Sequence, residues 1–192
     1  MGIADGIHEV LQFWFGPAGA NEAVRDYWFR KDPAFDERLR ERFGTLHGCA
    51  ERGELRQWRD TPAGLLALIV VLDQFSRNMY RDSARAFASD GEALECARLM
   101  VARGWDRERS GVERWFVYLP FEHSENLADQ DRCLELMAQL QGASAAANVV
   151  EWARRHRDVI ARFGRFPHRN LALGRASTPE EIEFLAQPGS SF

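Results

Sequence analysis

The chain has 192 residues, of which 45% are hydrophobic and 28% are charged, with 15 Gly and 7 Pro. This composition is that of an ordinary globular domain and excludes collagen-like, disordered and disulfide-stapled chains; at this length a compact fold buries roughly 70% of its unfolded surface. The formal net charge of −4 and the pI near 5.8 argue against a protein that coats nucleic acid or an anionic membrane surface.

Helix start signals recur along the chain. Three pairs place an N-cap residue directly before a proline at the first helical position: Asp32-Pro33, Thr61-Pro62 and Thr178-Pro179. Glu181, three residues after Thr178, completes a capping box. After the first signal, apolar residues recur at helical spacing at Phe35, Leu39, Phe43, Leu46 and Ala50. These patterns predict helices that begin at residues 33, 62 and 179.

Three more helices are predicted between residues 89 and 140. The first is capped by Ser89 or Asp90 and stops at Gly104. The second opens at Ser110 and is ended or kinked by Pro120, and the third continues to about residue 140.

A long helix is predicted from Ser144 to Gly164. One face of it carries the residues Val149, Trp152, His156, Val159 and Phe163. A histidine alone among apolar residues is typical of a core position satisfied by a hydrogen bond, and this is our interpretation of His156.

These signals add up to about eight helices, and no period-2 alternation of useful length indicates a β-strand. No linker or low-complexity stretch divides the chain. We therefore predict one all-α domain over residues 1–192, a stack of about eight helices with short connections. We call the loop-rich region at residues 165–177 the basic loop.

The helix that begins at residue 62 is the most informative element for both the core and the candidate site. Residues 65–72 are apolar on every side, which predicts a helix through the middle of the fold. Polar residues follow at once, including Asp73, Arg77 and Asn78. Asp73 and Arg77 are four apart, so they can pair along the helix, and we expect both to be mostly buried and hydrogen-bonded. The pair either locks neighbouring helices together or lines a wet cavity.

A second polar segment contains Glu122, His123 and Glu125, just beyond an aromatic helix. Glu122, Glu125 and Asp129 have the spacing i, i+3, i+7 of one helix face. Carboxylates beside a histidine suit acid/base chemistry or a divalent metal, whereas the alternative is a helix first turn, where acidic side chains favour the positive dipole end. The chain has no Glu-x-x-His, His-x-x-x-His or Cys-x-x-Cys spacing, so we expect no metal.

The third polar segment is the basic loop and the helix before it. Residues 151–175 contain seven arginines and two acidic residues, an excess of five positive charges within an acidic protein. Arg165, His168, Arg169 and Asn170 suit a carboxylate or phosphate group. In the alternative, Arg165 and His168 cap the last carbonyls of the preceding helix.

The remaining motifs limit chemistry and compartment. Gly-x-Ser-x-Gly, a P-loop and Gly-x-Gly-x-x-Gly do not occur, so we expect no nucleophile elbow and no cofactor. Cys49, Cys96 and Cys133 are an odd number far apart, which indicates reduced thiols. The sequence begins without a signal-peptide pattern, and residues 65–72 are too short to span a bilayer. We expect a cytoplasmic protein with no membrane or nucleic-acid partner.

Three segments resemble the bacterial family called domain of unknown function 924. The first reads LDQFSRN at residues 72–78 with AFASD at 86–90, and the second reads YLPFEHSE at 118–125. The third reads FGRFPHRN at 163–170, followed by LGR at 173–175 and STPEE at 177–181. The resemblance covers almost the whole chain. It implies an all-helical fold of the tetratricopeptide-like superfamily, a helical superhelix, and it implies no established activity.

Two functions remain open from the sequence. In the first, the polar segments meet in one mixed-charge pocket that binds a small anionic ligand: Arg77, Arg165 and Arg169 hold the anion, while Glu122, His123 or His168 move protons. The other predicted ligand-binding residues are Asp73, Asn78, Glu125 and Asn170. In the second, the protein is a helical scaffold whose concave face binds a peptide or partner protein. The sequence does not decide whether the protein is an enzyme or a homo-oligomer.

Overall fold

The computed structural model describes residues 3–17, 25–140 and 148–190, and within these ranges it contains helices and no β-strand. The prediction of an all-helical fold is therefore confirmed; the tetratricopeptide-like superhelix stays a prediction. The α-helices are α1 (Ile3–Phe15), α2 (Pro33–Glu51), α3 (Pro62–Ile69), α4 (Ser76–Met79), α5 (Asp90–Ala102), α6 (Gly111–Glu122), α7 (Leu127–Ala138), α8 (Val149–Phe163) and α9 (Pro179–Leu185). None of these described helices is both long and apolar enough to cross a membrane.

The predicted caps begin the helices as expected. Asp32, Thr61 and Thr178 each accept hydrogen bonds from backbone N–H groups in the first turn of α2, α3 and α9, and Thr178 forms its capping box. Gly104 and Gly164 follow α5 and α8 in the left-handed conformation that favours glycine.

One predicted helix end differs from the structure, and one predicted helix start lies outside the described residues. Pro120 lies inside α6, which continues to Glu122, so the alternative in which Pro120 ends the helix is wrong. The predicted start of the long helix at Ser144 lies outside the described residues, and α8 is described from Val149. Trp152 of that helix is 46% exposed, so placing it on the buried face was wrong.

The middle of the fold is one continuous helical rod. It runs from α3 through a π-helical turn at Val70–Phe75 into α4, and residues 64–76 along it are all buried. Helices α1, α2, α5 and α6 pack around this rod, as its all-round apolar sequence predicted. A π-turn widens the helix by one residue and often occurs at functional sites. No pattern in the sequence indicated this turn.

Aromatic rings fill the space between α1, the rod and α6. Trp14 lies 6.2 Å from Trp28, 5.6 Å from Phe75 and 5.7 Å from Phe116, measured between ring centroids. Such pairs add about 0.5–1.5 kcal/mol each beyond the area they bury. This main core packs around the π-turn and so positions the carboxyl-terminal end of the rod.

A second, smaller core joins the end of α8 to the basic loop and α9. It consists of Val159, Ile160 and Phe166, with Phe163 and Phe184 packed against them. Glu181 of α9 ties the same region together: it accepts from Arg165 at 2.6 and 2.7 Å and from Asn170 at 3.2 Å. The basic loop and α9 therefore form one unit that rests on the helix bundle.

Gly64, in the first turn of α3, is required by close packing. A Cβ atom at this position would overlap the backbone carbonyl oxygen of Trp58, which cannot move independently of its 3₁₀ turn. We predict that Gly64→Ala lowers the free energy of unfolding by about 1–3 kcal/mol in urea denaturation. Gly44→Ala in α2 is the matched control, because its Cβ meets no atom within 4 Å. This control substitution should be neutral or stabilising by up to about 1 kcal/mol. Equal effects of the two substitutions would contradict this packing argument.

Candidate functional site

The site is built around the carboxylate of Asp73, which lies in the π-turn and is 0% exposed. Its Oδ1 atom is 2.7 Å from His123 Nδ1 and 2.9 Å from Arg77 Nη1, and its Oδ2 accepts from Gln74 Nε2 at 2.5 Å. Burial opposes ionisation of this carboxyl, but Arg77 and His123 hold its pKa well below the usual range. Asp73 is therefore a buried anion with a complete set of partners, and its predicted pairing with Arg77 is confirmed.

His123, directly after α6, has its tautomer fixed by this contact. An ionised carboxylate only accepts, so Nδ1 carries the proton and donates to Asp73, which leaves Nε2 as the acceptor of the neutral ring. Burial and the neighbouring Arg77 lower the pKa of His123, although Asp73 acts in the opposite direction. A neutral, oriented imidazole of this kind can accept a proton near neutral pH.

Asp90, the first residue of α5, joins two arginines. It accepts a bidentate pair from Arg77 at 2.7 and 3.0 Å and a third bond from Arg169 Nη1 at 3.2 Å. We call Asp73, Arg77, Asp90, His123 and Arg169 the polar cluster. The sequence presented Asp90 as a candidate helix cap and as part of the AFASD segment, but not as a site residue, because its partners come from α4 and the basic loop.

Arg169 enters the polar cluster between two aromatic rings. Its guanidinium lies 4.4 Å from the ring centroid of Phe166 and 4.8 Å from that of Phe87. The residue is 6% exposed, and its buried Nε has no hydrogen-bond partner among the described residues. Burial and the nearby Arg77 lower the pKa of Arg169 to about 10, so it remains charged at neutral pH.

Glu122 and His156 form a neutral buried pair beside the polar cluster. Glu122 Oε1 is 3.5 Å from His156 Nδ1, which in turn lies 2.9 Å from the Trp152 carbonyl oxygen. Burial, and to a smaller extent the negative charge of Asp73, raises the pKa of Glu122 to about 8. Burial lowers the pKa of His156 to about 3. Both groups are uncharged at neutral pH. The interpretation of His156 as a satisfied core histidine is confirmed.

Glu125 holds the basic loop to the bundle. It accepts from Arg175 Nη1 at 2.7 Å, from Arg175 Nη2 at 3.0 Å and from the Phe166 backbone N–H at 2.8 Å. The predicted common face with Glu122 and Asp129 is wrong, because a turn separates α6 from α7 between these carboxylates. Asp129 accepts instead from Arg98 and Ser124.

The other predicted site residues have different surroundings. His168 is half-buried, and burial followed by Arg169 and Arg77 lowers its pKa to about 4. Arg165 and Asn170 contact Glu181, a residue that the sequence indicated as part of a capping box and of the STPEE segment. Asn78 is buried in the rod, where it donates to the Gln74 carbonyl at 2.9 Å. The structure thus gathers Asp73, Arg77, His123 and Arg169 through shared partners; a ligand-binding role for any predicted residue stays a prediction.

A serine–histidine–glutamate arrangement lies elsewhere in the core. His47 Nε2 is 2.7 Å from Ser76 Oγ, and His47 Nδ1 is 3.4 Å from Glu51 Oε2. The Ser76 hydroxyl donates to the Leu72 carbonyl at 2.6 Å, so His47 donates to this hydroxyl and does not deprotonate it. Both His47 and Ser76 are 0% exposed. The arrangement is structural, since no substrate reaches a fully buried hydroxyl.

Across the described ranges, no group of three or more His, Cys, Asp and Glu side chains has the arrangement of a metal site. The polar cluster itself supplies two guanidiniums, two carboxylates and one neutral imidazole. These groups can bind an anion and exchange a proton with it.

Comparison with known proteins gives a family but no activity. Residues 10–189 match the model of the family described as "Bacterial protein of unknown function (DUF924)". A solved structure, titled "Structure of Protein of Unknown Function ATU0120 from Agrobacterium tumefaciens", is 39% identical with a TM-score of 0.86. The match covers 96% of this chain and 99% of that one. No curated protein matches the sequence.

The neutral state of Glu122 predicts a pH-dependent gain in stability when it is replaced. The pKa of the Glu122 carboxyl is about 8 in the folded protein and has its ordinary value of 4.5 in the unfolded chain. Between these two pH values the carboxyl is ionised in the unfolded chain but protonated in the folded protein. The free energy of unfolding therefore falls as the pH rises from 4.5 to about 8. Glu122→Gln removes this loss. We expect the variant to match the parent near pH 4.5 and to be more stable by on the order of 4 kcal/mol at pH 8, measured by urea denaturation.

Glu125→Gln provides the control of opposite sign. Burial opposes ionisation of Glu125, but Arg175 and the Phe166 N–H hold its pKa below the usual range, so its contribution to stability is lost as the pH falls. The Glu125 variant should therefore become less stable than the parent as the pH rises. A Glu122→Gln difference that does not change with pH would contradict the buried neutral state.

Proposed function

This chain belongs to the bacterial DUF924 family of unknown function, and from its site we propose that it binds a small anionic ligand at the polar cluster. The ligand carries a carboxylate or phosphate group, which the guanidiniums of Arg77 and Arg169 recognise. Asp90 positions both arginines by accepting hydrogen bonds from them.

The cysteines Cys49, Cys96 and Cys133 are free thiols, which fits a function in the reducing cytoplasm.

The observation that carries the proposal is the incomplete bonding of Arg169. A buried guanidinium normally uses its donors fully, because an unpaired buried donor costs about 1–3 kcal/mol or more when charged. Arg169 is 6% exposed, yet its Nε has no partner among the described residues and its one charge-assisted bond, to Asp90, is long at 3.2 Å. An anionic oxygen beside Arg169 would complete this bonding.

The geometry around Arg77 supports the same ligand. Arg77 shares Asp90 with Arg169, so the two guanidiniums converge on one carboxylate. A ligand carboxylate or phosphate can bind beside Asp90, at arginine donors such as Arg169 Nε that Asp90 leaves unused. The Arg77 and Asp90 side chains keep 18% and 21% exposure, so solvent reaches the polar cluster.

The scaffold function is the second candidate. Leu171 in the basic loop is 95% exposed and Ile182 on α9 is 60% exposed, although the loop and α9 are fixed by Glu181. Exposed apolar side chains on an ordered unit suit a peptide or partner protein. The anion proposal is preferred because leaving the buried Arg169 Nε donor without a hydrogen-bond partner costs more free energy than exposing Leu171 to solvent.

Thermal unfolding tests the proposed function with sulfate, phosphate, acetate and citrate as probes. At ten times its dissociation constant, a bound anion stabilises the fold by about 1.4 kcal/mol, which raises Tm by roughly 3–6 °C for a domain of this size. We predict this shift for at least one probe with the parent protein and its loss in Arg169→Met, because the guanidinium supplies the binding donors.

Arg162→Met is the matched control, since Arg162 is an exposed arginine at the end of α8 that pairs with Glu180. It removes the same charge near the basic loop and should keep the shift. No shift with any probe, or equal shifts in the Arg169 variant and the parent, would contradict anion binding at the polar cluster and favour the scaffold.

A further inference from the structure

A single oxygen atom brings a histidine and an arginine together in the polar cluster. Asp73 Oδ1 contacts both His123 Nδ1, at 2.7 Å, and Arg77 Nη1, at 2.9 Å. The imidazole and the guanidinium are thus immediate neighbours around one negative charge. If His123 took up a proton, two cations would share that charge in a largely buried site, which Coulomb repulsion disfavours.

The charges of the polar cluster balance only when His123 is neutral. Asp73 and Asp90 carry two negative charges, and Arg77 and Arg169 carry two positive charges, joined by the contacts described above. His156 from α8 and His168 from the basic loop also face His123, and burial lowers the pKa of each, so both add no charge near neutral pH. Glu122, next to His123 in the chain, is protonated there as well.

Adding an anion changes this balance by one or two negative charges. The anion offsets the positive field of Arg77, which together with burial keeps His123 neutral. Asp73 is already in place to pair with the imidazolium through Nδ1. A proton can then enter at Nε2, the remaining basic atom of the ring.

We propose that the polar cluster binds its anion together with one proton, and that His123 takes up this proton from solvent at Nε2. The inference rests on the proposed function, because it needs an anion at Arg77 and Arg169. No covalent bond forms or breaks other than the new N–H bond, and the proton returns to solvent when the anion leaves. Affinity therefore rises as the pH falls, by up to about tenfold for each pH unit.

The test is calorimetric titration of the intact protein with sulfate. Sulfate keeps its charge throughout the neutral range, so any proton that moves belongs to the protein. Titration near pH 7 in two buffers with different heats of ionisation measures the protons taken up per sulfate bound. We expect uptake approaching one proton, and a dissociation constant that rises with pH.

Two variants and one control assign the proton. His123→Gln should bind sulfate with little proton uptake and little pH dependence, whereas His8→Gln, on an exposed position of α1, should behave as the parent. His168→Gln should retain the uptake. If the His168 variant loses proton uptake while the His123 variant keeps it, the assignment to His123 is overturned. This comparison holds even if one variant is less stable than the parent, because uptake is measured per sulfate bound.

The outcomes separate this inference from the proposed function. Sulfate binding without proton uptake in the parent overturns the inference and leaves anion binding intact. Absence of sulfate binding between about pH 5.5 and pH 8 overturns both, because the linkage predicts the tightest binding at the acidic end of this range. Uptake of a proton that depends on His123 supports both.

Discussion

The fold depends on how one buried charge is satisfied. Asp73 follows eight apolar residues of the central rod and is fully buried, and a bare carboxylate there would cost several kcal/mol of desolvation. Arg77 and His123 supply the compensation, and both are thereby fixed in position. Because Arg77 also reaches Asp90, and Asp90 reaches Arg169, this requirement extends from the central rod to α5, the end of α6 and the basic loop.

The rod and the two cores give this network its rigidity. The π-turn at Val70–Phe75 places Asp73 within the main core, and Trp14 of α1 packs against both Phe75 of this turn and Phe116 of α6. The smaller core and Glu181 order the basic loop, so Arg169 arrives already stacked between Phe87 and Phe166. Such preorganisation lowers the entropy cost of binding a small ligand.

Local patterns in the sequence predicted what depends on local interactions. Proline-marked caps located α2, α3 and α9, and the spacing of Asp73 and Arg77 predicted their pairing within one helix. The contacts of Asp90 and Glu181 could not be predicted, because their arginine partners become neighbours only after the helices pack. The Glu122, Glu125 and Asp129 pattern failed for a related reason: spacing along the chain does not reveal that a turn interrupts the helix.

Nitrogen NMR of the histidine side chains tests the central claim, that Asp73 fixes His123, most directly. The protein labelled with ¹⁵N in histidine and its Asp73→Leu variant, which has no side-chain acceptor at this position, are compared near pH 7. We expect His123 in the parent to be neutral with its proton on Nδ1, and in the variant to lose this preference because the carboxylate acceptor has gone. A parent His123 protonated on Nε2 alone, or the same tautomer in both proteins, would contradict the account.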